Sequence, residues 1–173
     1  MNGPMPLRVG LGYDSHRFDP ARPLVLGGIT IPDAPGLSGF SDGDAVAHAV
    51  IDALLGAAGA GDIGTHFPPG DERWRGADSM DLLARAVHLV AGRGYRSVNV
   101  DLTVICEKPR LGPHRENMQR SLASALGVDP GRVSVKGKSN EGMGWIGAGE
   151  GLAVHAVALL EPLPPGSHSG GDQ

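Results

Sequence analysis

Apolar positions alternate with polar or small ones at period two in parts of the chain, and these stretches, with one further apolar run, predict strands. Leu7–Asp14 sets Val9, Leu11 and Tyr13 against small residues. Val98–Cys106 alternates cleanly through Val98, Val100, Leu102, Val104 and Cys106. Arg132–Lys138 and Gly151–Leu160 follow. Pro23–Ile31 reads as a short strand or hairpin around Gly27-Gly28. Helical spacing appears from Asp44 to about Ala58, dense in Ala and Leu and capped by Asp42 or Asp44. A second helix opens at Asp78 or Ser79 and stops at Gly92-Arg93-Gly94. Its apolar stripe is Leu82, Leu83, Ala86, Leu89 and Val90. Pro113 suits the first turn of a third helix, ending near Gly127. Gly36–Gly43 and Gly59–Asp71 read as loops. The order predicts an α+β fold, a mixed sheet of about four strands with helices on one face. The other face would be bare unless an oligomer buried it. Residues 1–161 form one domain in this reading, and the Pro- and Gly-rich tail 162–173 is expected to be disordered.

Composition narrows the class. A chain of 173 residues fits one domain, and its core needs no disulfide staples. The one cysteine, Cys106, allows no internal disulfide, so a cytoplasmic location is expected. As it continues the alternating face of its strand, Cys106 reads as core rather than nucleophile. A net charge of -4 without a basic run argues against nucleic-acid binding. No apolar run approaches the roughly 20 residues of a membrane span, and Met1–Pro6 lacks the apolar stretch of a signal peptide.

Three segments carry candidate chemistry. Asp14-Ser15-His16 ends the first strand, and residues two apart on a strand share a face. With His48 on the first helix they would form a three-ligand zinc site with one open position. His48 lies four residues after Asp44 and four before Asp52, so either carboxylate could take its second N–H. The same residues would serve as a buried histidine, a turn residue and a cap. Lys138-Ser139-Asn140-Glu141 follows a strand and combines cation, hydroxyl, amide and carboxylate. It could hold Mg²⁺ beside phosphates, or be a solvated polar turn. Cys106–Pro113 holds two prolines, so its backbone cannot all pair in a ladder. Its free groups could read a planar base, although a rigid strand-to-helix connection is the simpler reading.

Together these segments resemble the 2-C-methyl-D-erythritol 2,4-cyclodiphosphate synthase family. The resemblance rests on Arg8–Phe18, Ser41–His48, Asp52–Gly56, Gly61–Gly64, Phe67-Pro68 and Ala77–Ser79. It continues through Asn99–Asp101, Lys108-Pro109, Val135-Lys136, Glu141 and Gly149–Gly151, in order from about 7 to 161. It implies a homotrimer with active sites between subunits. It also implies a non-mevalonate isoprenoid enzyme, a phosphorus-oxygen lyase, that turns 4-diphosphocytidyl-2-C-methyl-D-erythritol 2-phosphate into the cyclic diphosphate and CMP. By this resemblance Asp14, His16 and His48 hold Zn²⁺, and Glu141 holds Mg²⁺ or Mn²⁺. Ser139 and Ser41 fall at catalytic positions. Ser15, Asp62, Ile63, Gly64, Phe67, Asp71 and Trp145 would meet the substrate beside the metal ligands. Cys106, Glu107, Lys108, Pro109, Arg110, Leu111 and Gly112, with Lys138 and Asn140, would hold the cytidine and its diphosphate. Phe40 stands where most members have histidine, Pro69 where they have Asp, and Ala148 where they have an arginine facing phosphate. Phe40 and Ala148 favour an alternative, a zinc- and cytidine-nucleotide-binding homologue with little turnover. A zinc hydrolase fits less well, since no His-Glu-x-x-His is present.

Overall fold

The computed structural model describes residues 6–164. Its five strands are β1 (Arg8–Leu26), β2 (Ile29–Leu37), β3 (Tyr95–Ile105), β4 (Val133–Lys138) and β5 (Gly151–Pro162). They lie in the order β2-β1-β5-β3-β4. Only β3 and β4 run parallel; the other pairs are antiparallel. The sheet is therefore mixed, with five strands rather than about four. The extra strand is β2, which the turn at Gly27-Gly28 returns along β1. Most of the tail, residues 165–173, lies outside the described residues, while Pro162 still belongs to β5.

The main helices are α1 (Ala45–Ala57), α3 (Ser79–Gly92) and α4 (Arg115–Leu126); α2 (Ile63–His66) and α5 (Gly144–Gly147) are single turns. Asp44 caps α1, accepting from Ala47 N at 3.0 Å. It also accepts from Gly27 N at 2.8 Å and Gly28 N at 2.7 Å, so one fully buried carboxylate ties the hairpin to the helix start. Burial pushes its carboxyl up, and the three backbone N–H groups offset this only in part. Asp78 caps α3, where Leu82, Leu83, Ala86 and Val90 are buried but Leu89 is 37% exposed. Pro113 lies in a 3-10 turn, Gly112–His114, just before α4, and α4 ends on a left-handed Gly127.

Strand β1 sets the distance to α1. A Cβ at Gly10 would stand 2.0 Å from Ala53 O, and one at Gly12 would stand 1.8 Å from Ala49 O. Even positions of β1 therefore face the helix, and the odd ones face away. Val9, Leu11 and Tyr13 are 69%, 67% and 49% exposed on that far face. Tyr13 meets the ring of His155 on β5, 5.0 Å between centroids. Val157 of β5, paired with Leu11 and 40% exposed, extends this apolar band across the neighbouring strand.

Candidate metal centre and strand-end pocket

Asp14 and His16 continue the helix-facing register of Gly12, and the buried His48 meets them from α1. One ligand atom from each lies within 4.8 Å of the others. Asp14 Oδ2 stands 2.8 Å from His16 Nε2 and 3.1 Å from His48 Nδ1. His48 Nδ1 and His16 Nε2 are 3.4 Å apart. His16 Nδ1 lies 2.5 Å from the carbonyl oxygen of Ser38. A carbonyl only accepts, so Nδ1 carries the proton and the Nε2 lone pair points inward. Burial works to raise the Asp14 carboxyl, but the His16 and His48 rings beside it outweigh this and hold the group below its ordinary value. At His16 burial works downward, and the Asp14 carboxylate reverses it to a net rise. One carboxylate and two imidazoles converging this closely suit a divalent ion with a further position open.

The support around His48 differs from the sequence expectation. Neither Asp44 nor Asp52 bonds its ring. Asp44 is committed to the cap, and Asp52 accepts from Ile63 N at 2.7 Å, anchoring the next turn. His48 Nε2 instead meets Ser79 Oγ at 2.8 Å and Ser41 Oγ at 3.1 Å. Ser79 donates to Asp42 through its hydroxyl and, at 2.9 Å, through its backbone N–H. Ser41 is buried, with its hydroxyl against the His48 ring. Sequence reading missed Ser79 and Asp42 because their contact with His48 joins α1 to α3 across 31 residues. The Ala77-Asp78-Ser79 motif was the available signal.

Asp62 caps α2, accepting from Thr65 N at 2.8 Å and Thr65 Oγ1 at 2.7 Å, which leaves Ile63 and Gly64 in the turn that Asp52 anchors. Asp71 caps a 3-10 turn and pairs with Arg73 at 2.6 Å. Phe67 is a core residue, edge-on to Trp74 with centroids 5.2 Å apart, and only 8% exposed. Phe40 is half-buried, with the Arg75 guanidinium 4.7 Å from its ring centroid. Trp145 joins Ser15 and His16 around a hollow of about 200 Å³. Ala148 is the exposed C-cap of α5.

A larger cavity of about 630 Å³ opens at the ends of β3 and β4. The loop after Cys106 walls it through Glu107 and Pro109 to Gly112, and Lys138 and Ser139 complete it. Lys108 faces a neighbouring hollow with Asp33. Glu107 Oε1 accepts from Asn140 N at 2.8 Å and Gly142 N at 3.2 Å, so it braces the turn carrying Glu141. Ser139 Oγ donates to Glu141 Oε1 at 2.8 Å. Glu141 itself has φ 53, a left-handed conformation costing a non-glycine residue about 1 kcal/mol or more. Cys106 is buried and its thiol is pushed up to about 11, mainly by burial and then by the Glu107 charge.

The candidate metal ligands and the pocket share one end of the sheet. Asp14 pairs with Val154, Val154 with Val104, and Val104 with Gly137. Three strand spacings separate them, about 14 Å.

The YgbB family model matches residues 7–161. The 2-C-methyl-D-erythritol 2,4-cyclodiphosphate synthase of Symbiobacterium thermophilum is 57% identical over 152 residues, covering 88% of this chain and 97% of that protein. The synthase of the same name from Rubrobacter xylanophilus is 59% identical over 157 residues, 89% and 94% of the two chains. A solved 2C-methyl-D-erythritol-2,4-cyclodiphosphate synthase with bound CDP superposes with a TM-score of 0.82 at 42% identity. It covers 89% of this chain and 100% of that one. Matched along nearly its whole described length in sequence and fold, the chain belongs to the YgbB family, that of the 2-C-methyl-D-erythritol 2,4-cyclodiphosphate synthases.

Proposed function

We propose that this protein is a phosphorus-oxygen lyase of non-mevalonate isoprenoid synthesis, converting 4-diphosphocytidyl-2-C-methyl-D-erythritol 2-phosphate to the 2,4-cyclodiphosphate and CMP. The convergence of Asp14, His16 and His48 carries this reading, together with relatives of that activity above 50% identity. An oxygen of the 2-phosphate bonds to the β-phosphorus, the bond from that phosphorus to the α-phosphate oxygen breaks, and CMP leaves with the electron pair. No side-chain nucleophile takes part. Zn²⁺ on Asp14, His16 and His48, and Mg²⁺ or Mn²⁺ on Glu141, would neutralise repelling phosphates and align them.

The chain's own groups do the rest. The cavity between loop 106–112 and Lys138 suits a cytidine, with backbone groups free to read the base edge. Lys138 and Ser139 at its rim supply donors to the diphosphate. Asn140 contributes through the turn that Glu107 braces. The strained Glu141 is consistent with a carboxylate kept for binding. Asp62, Ile63 and Gly64 present the turn for the erythritol hydroxyls, with Ser15, Asp71 and Trp145 near. Asp71 would have to leave Arg73 to do so, and Phe67 would serve as a packed wall. Because metal set and cavity lie about 14 Å apart, we place the complete site between subunits of a homotrimer. The band Val9, Leu11 and Tyr13 would pack one sheet on the next. No described helix is long and apolar enough to cross a membrane, and a cytoplasmic location accords with the free Cys106.

Phosphorus NMR of protein, substrate, Zn²⁺ and Mg²⁺ tests the proposal. Cyclic diphosphate and CMP are expected together, and chelator should block both. Phe40, which offers no donor, and Ala148, which offers no charge, favour the second reading, a binding homologue with little turnover. Unchanged substrate with zinc bound would select it.

A further inference from the structure

We infer that Asp42 and Ser79 are positioning residues that fix the tautomer of His48 and so aim its Nδ1 lone pair into the metal centre; this rests on the proposed metal site. Asp42 accepts three donors: Ser79 Oγ, Ser79 N at 2.9 Å and Asp44 N at 3.1 Å. An ionised carboxylate can only accept, so the Ser79 hydroxyl proton points at Asp42. The lone pairs of Ser79 Oγ then face His48 Nε2 at 2.8 Å. Only an N–H there makes a hydrogen bond to Ser79; a bare Nε2 would set lone pair against lone pair across this buried 2.8 Å contact. The proton belongs on Nε2, and Nδ1 is left bare at 3.1 Å from Asp14 Oδ2.

The chain offers a competing arrangement, which gives the relay its purpose. Without direction from behind, the Asp14 carboxylate would draw the His48 proton onto Nδ1, the position a metal must occupy. Ser41 cannot settle the matter, because among the described residues no second acceptor commits its hydroxyl proton. It accepts from Gly43 N at 3.5 Å and faces Nε2 at 3.1 Å as donor or acceptor alike. Ser79 alone has its proton committed elsewhere. Because its backbone N–H also bonds Asp42, the first turn of α3 locks the relay in place.

The test reads ring nitrogen shifts of His48 by long-range ¹H–¹⁵N correlation in the metal-free full chain. A pH of about 8.5 keeps an ordinary imidazole neutral. The same samples are titrated with Zn²⁺ against a chelator. Wild type should show the Nε2–H pattern. Ser79→Ala and Asp42→Asn should each move the population toward Nδ1–H and weaken zinc binding about 10- to 100-fold. A merely structural role would lower thermal stability without moving the tautomer. A folded variant that keeps both the Nε2–H pattern and wild-type zinc affinity would overturn the inference, as would an Nδ1–H wild type. If Ser79→Ala does not fold, Asp42→Asn and the wild-type spectrum decide. A wild type with Nε2–H that binds no zinc would sink the metal reading and leave the relay standing.

Discussion

Gly12→Ala should disable the metal centre without touching a ligand. The added Cβ would lie 1.8 Å from Ala49 O and 2.8 Å from Ala53 N. Both are backbone atoms of α1, so no side chain can rotate away. Ordinary contact requires about 1.5 Å more separation between β1 and α1. Asp14 lies two residues beyond Gly12 on the same face, and His48 immediately precedes Ala49. The 3.1 Å contact between Asp14 Oδ2 and His48 Nδ1 should therefore open beyond about 4 Å. Overpacking of this kind costs about 1–3 kcal/mol, and a displacement of about 1 Å at reacting groups costs on the order of 10²-fold in rate. Gly56→Ala is the matched control, on the exposed side of the same helix with nothing within 4 Å. It should gain about 0.5–1 kcal/mol from the lost freedom of the unfolded chain, raising Tm by roughly 2–3 °C. Thermal melts, zinc titration and CMP release on both variants provide the readout. A Gly12→Ala protein with wild-type zinc affinity and Tm would refute the claim that this strand-to-helix distance sets the site.

Three further outcomes are expected. His48→Ala should lose stoichiometric zinc by elemental analysis while keeping its circular dichroism, and retained zinc would exclude the ligand assignment. Cys106, with its thiol raised from 9.0 to about 11, should alkylate about 100-fold more slowly at pH 8 than an unperturbed thiol; a rate within threefold of free cysteine would contradict its burial. Leu11→Arg should break the assembly to single chains by light scattering, because it sets a charge in the apolar band, and an unchanged mass would mean that another face holds the subunits.

The sequence announced the elements whose signals are local. Period-two alternation located β3, an apolar run marked β5, and the side chains of Asp44 and Asp78 marked the starts of α1 and α3 because a cap bonds within three residues. Asp14 and His16 were legible as a pair because strand pleat alone aligns them. The length of β2 was not, since Pro32, Asp33 and Pro35 interrupt its alternation. Alternation in β1 gave the period but not the face. The helix lies against the glycines there, and the larger residues point outward. The support of His48 was hidden for a different reason. Residues four apart on a helix look like partners, yet the cap claimed Asp44, a neighbouring turn claimed Asp52, and a hydroxyl from α3 filled the place.

On the proposed function, strand β1 makes assembly and metal binding separable. Its even positions, Gly10, Gly12, Asp14 and His16, set the helix distance and then supply two ligands. Its odd positions, Val9, Leu11 and Tyr13, form the exposed apolar band. All three candidate metal ligands belong to one chain, so that set needs no neighbour to form. The cavity beside Lys138 stands about 14 Å away across β5 and β3. On the proposed function, a nucleotide held there must therefore be brought to the metal. A second copy packed on the odd face of β1 can do that, because the two faces meet at the strand end where Ser15 and His16 border the Trp145 hollow. Loss of the outer face should thus remove turnover before it removes zinc, whereas loss of the inner face removes both.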